Sequence, residues 1–299
     1  MSTNEQTMSA KELKEFKGRS MAQETLRRLM KNKGAIVGMC FLLILVTAAI
    51  ASQFLFDYDT DIIGMNPAAA YAAPSAEHFF GCDNMGRDIL ARIMYGARYS
   101  LLIGIGSVLI GLCFGLILGS LAGFYGGFID NLVMRSNDIL YSIPNIMIAV
   151  VVVSIFGTSA ASLLMSLSIT AATSFARISR AAVMQVRGYE YIESAYAMGL
   201  PTWKVILRHI IPNCLSPIIV QVTLAVGNNI IAASSLSFLG VGIPVPIPEW
   251  GAMLSEGRTY IRSAPWMCIF PGLAIMFTVL ALNLMGDGLR DALDPKLKK

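Results

Sequence analysis

The sequence predicts an all-α polytopic membrane protein with six transmembrane helices. Of its 299 residues 55% are hydrophobic and only 14% charged, with a mean hydropathy of +0.63, a balance that no single soluble core of this length sustains. Several apolar runs reach the roughly 20 residues needed to cross about 30 Å of hydrocarbon. Basic residues gather on one side of the resulting topology, as cytoplasmic segments do.

Residues 1–34 read as a cytoplasmic tail with an amphipathic helix, carrying Lys11, Lys14, Lys17, Arg19, Arg27, Arg28, Lys31 and Lys33. The first span, 35–56, follows this long charged segment and is too long for the apolar part of a cleavable signal, so it reads as retained. Residues 57–83 are polar, with Asp57, Asp59, Asp61, Pro67 and Pro74, and Asp88–Tyr95 reads as an amphipathic helix lying at the interface. The second span, 100–123, places Gly111, Gly115, Gly119 and Gly123 four residues apart, a smooth face for close helix packing. The third, 138–157, contains Pro144. The fourth, 160–177, is diluted by Ser162, Ser166, Ser168, Thr170, Thr173 and Ser174, which suits protein or cavity neighbours better than lipid. The fifth and sixth, 214–236 and 266–286, carry Pro217 and Pro271, each able to kink its helix. Between them lies a breaker-rich stretch over 239–265, with Gly240, Gly242, Pro244, Pro246, Pro248 and Pro265. It reads as a partly buried outer loop, with Trp250 and Trp266 in the aromatic belt and Pro246, Pro248, Glu249 and Trp250 as candidate docking residues for an external partner.

Six spans put both termini inside, in agreement with Arg290, Lys296, Lys298 and Lys299 at the C-terminal end. The same topology places Arg177, Arg180, Arg187, Lys204 and Arg208 inside. Five of the 23 basic residues, Arg87, Arg92, Arg98, Arg258 and Arg262, fall outside, beside the acids Asp83, Asp88, Glu249 and Glu256. The net charge of +4 is what basic residues facing anionic inner-leaflet lipid produce, and calls for no nucleic acid.

Residues 188–213 form a helical hairpin between spans. Its first half, Glu193-Ser194-Ala195-Tyr196-Ala197-Met198-Gly199, is rich in small residues that let another protein approach, and Gly199 followed by Pro201 is a helix terminator. Its second half, from Trp203 through Lys204, Arg208 and His209 to Ile211, is amphipathic and is expected to stop at Pro212. A compact hairpin of this kind on the cytoplasmic side reads as a coupling element for a docked partner.

Polar residues inside spans cost desolvation unless protein or water satisfies them. Asn145 in the third span, Gln221, Asn228 and Asn229 in the fifth and Asn283 in the sixth are therefore candidates either for helix-to-helix hydrogen bonds or for the lining of a polar pathway. No G-x-x-x-x-G-K-[ST] loop, G-x-S-x-G elbow or H-E-x-x-H motif occurs, so nucleotide binding of the phosphate-loop type and the corresponding hydrolytic chemistry are excluded. Gly104-Ile105-Gly106 lies inside a span. The two histidines, His78 and His209, and the five cysteines, Cys40, Cys82, Cys113, Cys214 and Cys268, show no metal-binding spacing. Intramembrane catalysis, the rival class, lacks paired acids facing each other within the spans.

The hairpin resembles the EAA loop of permease subunits of ATP-binding-cassette importers, with Ser194 replacing the usual second-position alanine. The segments Phe80–Asp88, Tyr95-Gly96-Ala97-Arg98, Gly123-Phe124-Tyr125-Gly126-Gly127, Pro246–Gly251 and Gly286–Pro295 are similar to those of the C-type permease of dipeptide, oligopeptide and nickel importers. The resemblance runs from about residue 26 to the C-terminus. It implies a type I importer permease fold over 35–299 in a bacterial inner membrane, with no cofactor on this chain. Implied partners are a homologous B-type permease, two ATPase subunits that bind ATP and Mg, and an extracytoplasmic solute-binding protein. Glu193, Ser194, Ala195, Gly199, Trp203, Arg208 and Pro212 are then the coupling residues. The substrate so implied is a short peptide, with nickel, metal chelates and opines as alternatives.

Overall fold

The computed structural model describes residues 21–293, so Lys11, Lys14, Lys17, Arg19, Lys296, Lys298 and Lys299 lie outside the described part. Helix α1 (Met21–Leu29) leads to α2 (Lys33–Leu55), whose first turn is closed by Asn32 accepting from the Ala35 amide. Only Ala35, Gly38, Ala49 and Ser52 of α2 are buried, the pattern of a helix held on one narrow side and presented to lipid on the others. Asp57 caps a π turn over Tyr58–Ile62, and a 3-10 turn follows at Pro67–Ala69.

Helix α3 (Ile89–Tyr125) runs unbroken for 37 residues, about 55 Å at 1.5 Å per residue. The expectation of a separate interfacial helix over Asp88–Tyr95 is therefore corrected. Asp88 caps α3 through the Ala91 amide, no breaker intervenes before the apolar run, and Ile89, Ala91, Arg92 and Ile93 are buried in the chain instead of lying on a membrane surface. The glycine stripe on α3 abuts α6 (Ala160–Arg187): a Cβ at Gly111 or Gly115 would sit 2.5 Å from the Cβ of Ala171 or Phe175. Close helix packing accounts for that spacing.

After Gly126 and Gly127, both at positive φ, come α4 (Gly127–Ser142) and α5 (Asn145–Phe156), bent by 89° against each other. Ile143 caps α4 in an extended conformation and Pro144 precedes α5, as expected where the proline ring disfavours helix in the residue before it. The expected span 138–157 straddles this break and is not one straight helix. Helix α6 extends well past residue 177, to Arg187. It is followed by α7 (Glu190–Ala197), α8 (Thr202–Val205), a π turn over Ile206–Ile210 and α9 (Ile211–Phe238). Helices α10 (Trp250–Gly257) and α11 (Trp266–Leu293) complete the described chain. Among the described residues five helical segments are long and apolar enough to cross a membrane, six where the bent α4–α5 pair is counted as one span. Helix α3 packs most extensively on α6, α9 on α3 and α11, and α2 on α11.

Candidate functional site: the coupling hairpin

Helix α7 begins with Glu190 and Glu193 in its first turn, where carboxylates complement the positive end of the helix dipole. Its inner face drops Ile192 and Ala195 into an apolar cluster with Ala182, Val183 and Val186 of α6, and with Val205, Ile210, Cys214 and Ile218 of the following arm. This cluster makes α7 a rigid continuation of two long helices. Across the hairpin Tyr189, Tyr191, Glu193, Ser194, Tyr196 and Met198, with Trp203 and Leu207 of the following arm, are all exposed.

The turn after α7 is a Schellman motif: Leu200 N donates to Ala195 O at 3.3 Å and Gly199 N to Tyr196 O at 2.9 Å, with Gly199 left-handed at φ +78°. A Cβ on Gly199 would meet nothing within 4 Å, so the glycine is required by the backbone angle and leaves an open surface. Ser194 donates its hydroxyl to Glu190 O at 3.0 Å, so its exchange for alanine leaves no orphaned polar group. Glu193 and Arg208 form no salt bridge among the described residues, and Lys204 lies over the Trp203 ring at 5.4 Å. Ala195 is 1% exposed and cannot be a contact residue; its small size lets α7 lie close against α6.

Pro212 does not end the second arm. Helical structure runs from Thr202 to Phe238 as one continuous segment. The π turn immediately before Pro212 accommodates the missing amide, Ile211 N reaching back to Ile206 O and the Asn213 side chain donating to His209 O at 2.6 Å. The hairpin is thus a short helix folded against the extended N-terminal end of α9.

The pathway candidates are not gathered at one place. Asn229 donates to Ser107 Oγ of α3 at 2.8 Å, a helix-to-helix tie. Asn228 on α9 is exposed and Gln221 half-buried; Asn283 of α11 lies by Gly227. Asn145 stands exposed at the start of α5.

The outer loop requires a correction. Pro246 is exposed, but Pro248, Glu249 and Trp250 are buried, and the latter two have no exposed surface. Glu249 caps α10 through the Ala252 amide, and the Trp250 indole donates to Ile93 O at 3.0 Å. These residues seat the loop on α3, and Trp250 is not in an aromatic belt.

Beneath the loop lies a charge network that hydropathy did not reveal. Asp83 Oδ2 accepts from Arg87 Nε at 2.6 Å and Arg92 Nη1 at 2.7 Å, while Glu256 accepts from Arg87 at 2.7 Å and Arg92 at 3.0 Å. Two of the five apparently misplaced outer cations are therefore neutralised inside the protein. The available signal was the charged run Asp83–Asp88 leading into an apolar helix.

An all-helical chain with long apolar helices, a rigid hairpin projecting between two of them and no nucleotide loop defines a membrane permease subunit of an importer driven from outside the chain. Residues 115–299 match the model of the binding-protein-dependent transport system inner membrane component, and residues 20–74 that of the N-terminal transmembrane domain of oligopeptide transport permease C. The chain is 45% identical to the dipeptide transport system permease protein DppC of Alkalihalophilus pseudofirmus, covering 92% of this chain and 90% of that one. It is 44% identical to the glutathione transport system permease protein GsiD of Pectobacterium atrosepticum, over 92% and 91%. Among solved structures it resembles the inward-facing MetNI methionine ABC transporter (TM-score 0.57, 18% identity, 69% of this chain and 98% of that one). An amino acid ABC transporter solved with histidines gives a TM-score of 0.54 at 14% identity, over 68% and 94%; both likenesses concern the fold. The chain belongs to the family of inner-membrane permease components of binding-protein-dependent ABC importers. It is a non-catalytic, multi-pass membrane subunit that works with ATPase and binding-protein partners.

Proposed function

We propose that this chain forms half of the translocation pathway of an importer for short peptides. It pairs with a homologous B-type permease, receives substrate from an extracytoplasmic binding protein, and is driven by two ATPase subunits that bind ATP and Mg. Residues 1–34 are its cytoplasmic tail and 35–299 its permease domain; both termini and the 188–213 hairpin face the cytoplasm of a bacterial inner membrane. The observation that carries the reading is α7, exposed and aromatic outward, buried at Ile192 and Ala195 inward. A cleft that moves α7 must move α6 and α9 with it. Glu193, Ser194, Gly199, Trp203 and Arg208 supply the docking side, Ala195 the close packing and Pro212 the π turn. The peptide assignment is supported by relatives named for dipeptide and glutathione transport.

The test is uptake of a radiolabelled dipeptide by cells in which this chain has been deleted and then restored. Uptake lost on deletion and regained on restoration is expected. Unchanged peptide uptake together with lost nickel uptake would establish the alternative metal reading.

A further inference from the structure

Arg98 of α3 is a cation that neither the buried charge network nor the hairpin uses. Among the described residues it forms no hydrogen bond or ion pair; its guanidinium lies 4.8 Å from the centre of the Tyr95 ring, and that ring packs against Tyr58 at 5.3 Å between centres. Together with Asp57 and the C-terminal end of α2, these side chains line a cavity of about 440 Å3. Two measures place the cavity at a membrane face. Helix α2 is 23 residues of apolar helix, about 35 Å, enough to cross the hydrocarbon, and the cavity sits at its end. On α3, about 40 Å of helix separates Arg98 from Phe124, whose carbonyl accepts from Arg187 beside the hairpin; that is about the thickness of a bilayer with its headgroups. Arg98 therefore lies at headgroup level on the face opposite the hairpin.

From Arg98 toward the hairpin, Leu102, Ile105 and Leu109 follow on the same side of α3, four, seven and eleven residues on, and all are exposed. An unpaired cation thus heads an apolar stripe, as a phosphate heads an acyl chain. The anion in the cavity is equally without a counter-ion. Asp57 Oδ1 accepts from the Asp59 and Thr60 amides at 2.9 and 3.0 Å, and the Thr60 and Asp59 amides hold its carboxyl below the usual range, so it is ionised at neutral pH. No ion pair joins it to Arg98. With Asp59 and Asp61 in the same turn, a headgroup bearing only negative charge meets repulsion, whereas a phosphate with an ammonium beside it satisfies both signs.

We propose that Arg98 and Asp57 bind a zwitterionic phospholipid of the phosphatidylethanolamine class, Arg98 taking the phosphate, Asp57 the ammonium, and Leu102, Ile105 and Leu109 an acyl chain, with Tyr95 positioning Arg98. The test titrates dioleoyl phosphatidylethanolamine or phosphatidylglycerol into the complete, detergent-purified importer and counts bound lipids by native mass spectrometry for wild type, Arg98→Gln, Arg98→Lys and Asp57→Asn. Wild type holds one phosphatidylethanolamine more tightly than phosphatidylglycerol. Loss of the charge-assisted contact weakens that binding about tenfold or more in Arg98→Gln, with partial recovery in Arg98→Lys. Asp57→Asn, still able to cap its turn, loses the preference between the two lipids. Equal binding of both lipids by wild type, or phosphatidylethanolamine held equally by wild type and Arg98→Gln, overturns the site. Loss of the second permease from the Arg98→Gln complex overturns it too, making the charge a subunit contact, and a preference unchanged in Asp57→Asn overturns the pairing of Asp57 with the ammonium.

Discussion

Arg92 is the residue on which the half of the molecule opposite the hairpin turns, because its guanidinium, with no exposed surface, bridges Asp83 and Glu256 and so ties α3 to the segment before it and to α10. Removing one member of a buried ionic network leaves its partners uncompensated, at a cost of about 3–5 kcal/mol. Arg92→Ala should therefore lower the thermal midpoint of the detergent-purified protein well below that of Arg258→Ala, an exposed outer arginine, and an unchanged midpoint would show the network to be dispensable. Cys82, beside it, illustrates burial acting on a thiol: desolvation, with Asp88 and Asp83 nearby, pushes its pKa up to about 11 from 9.0. A raised pKa means that the protonated form stabilises the fold below pH 9 and that this contribution is lost as pH climbs through about 11. At pH 8, in a variant whose other cysteines are serine, Cys82 should resist an impermeant maleimide until the protein is denatured, and mass spectrometry of the labelled chain reads this directly. The sequence showed these residues as a charged run; it could not show that partners 160 or more positions away neutralise them, because ion pairing is a property of the folded contact and not of spacing.

At the scale of elements, what was legible and what was not follows one physical division. Apolar runs mark where helices lie, so α2, α6, α9 and α11 occupy segments that hydropathy alone points to. Their ends are set by local backbone chemistry. Gly199 was recognisable as a terminator since a left-handed residue after a helix is a strong local signal, but Pro212 misled: a proline reads as a stop, and only the π turn at Ile206–Ile210 lets the helix pass through it. The break at Ile143-Pro144 obscured a span for the opposite reason, since hydropathy averages across a bend. The hairpin itself makes a testable element. Gly199→Val imposes about 1 kcal/mol or more of left-handed strain, and Glu193→Arg reverses a charge on the open face. Neither position lies in a span, so membrane insertion should survive while the ATPase subunits are released or hydrolysis is uncoupled from uptake. Co-purification of the ATPases measured beside peptide uptake decides it, and variants that bind ATPases and transport normally would make the hairpin a passive loop.

For the whole molecule, orientation and energy supply are a single question, because a lever works only if its handle and its load lie on opposite sides of a boundary. Helices α6 and α9 join the hairpin at one end to the loop seated by Glu249 and Trp250 at the other: Ile243 of that loop shares a buried cluster with Leu163 and Leu167 of α6 and Leu236 of α9, while Val186 and Ile218 share one with α7. Rigid helices joining two packed ends transmit a tilt without chemistry on this chain. Lys204→Cys should then be labelled by an impermeant thiol reagent only in inverted vesicles, and Ala76→Cys and Ser255→Cys only from outside intact cells, in a background lacking the native cysteines; external labelling at Lys204 would invert the topology. No phosphate-binding loop occurs anywhere in the 299 residues, and under the proposed function free energy enters through contact at α7. The purified chain, alone or with its permease partner, should hydrolyse no ATP, and hydrolysis should appear only when the two ATPase subunits are added and rise when the loaded binding protein docks. Sustained, contaminant-free hydrolysis by the permease pair alone would mean that the chain contains a catalytic site, and the lever would lose its reason to exist.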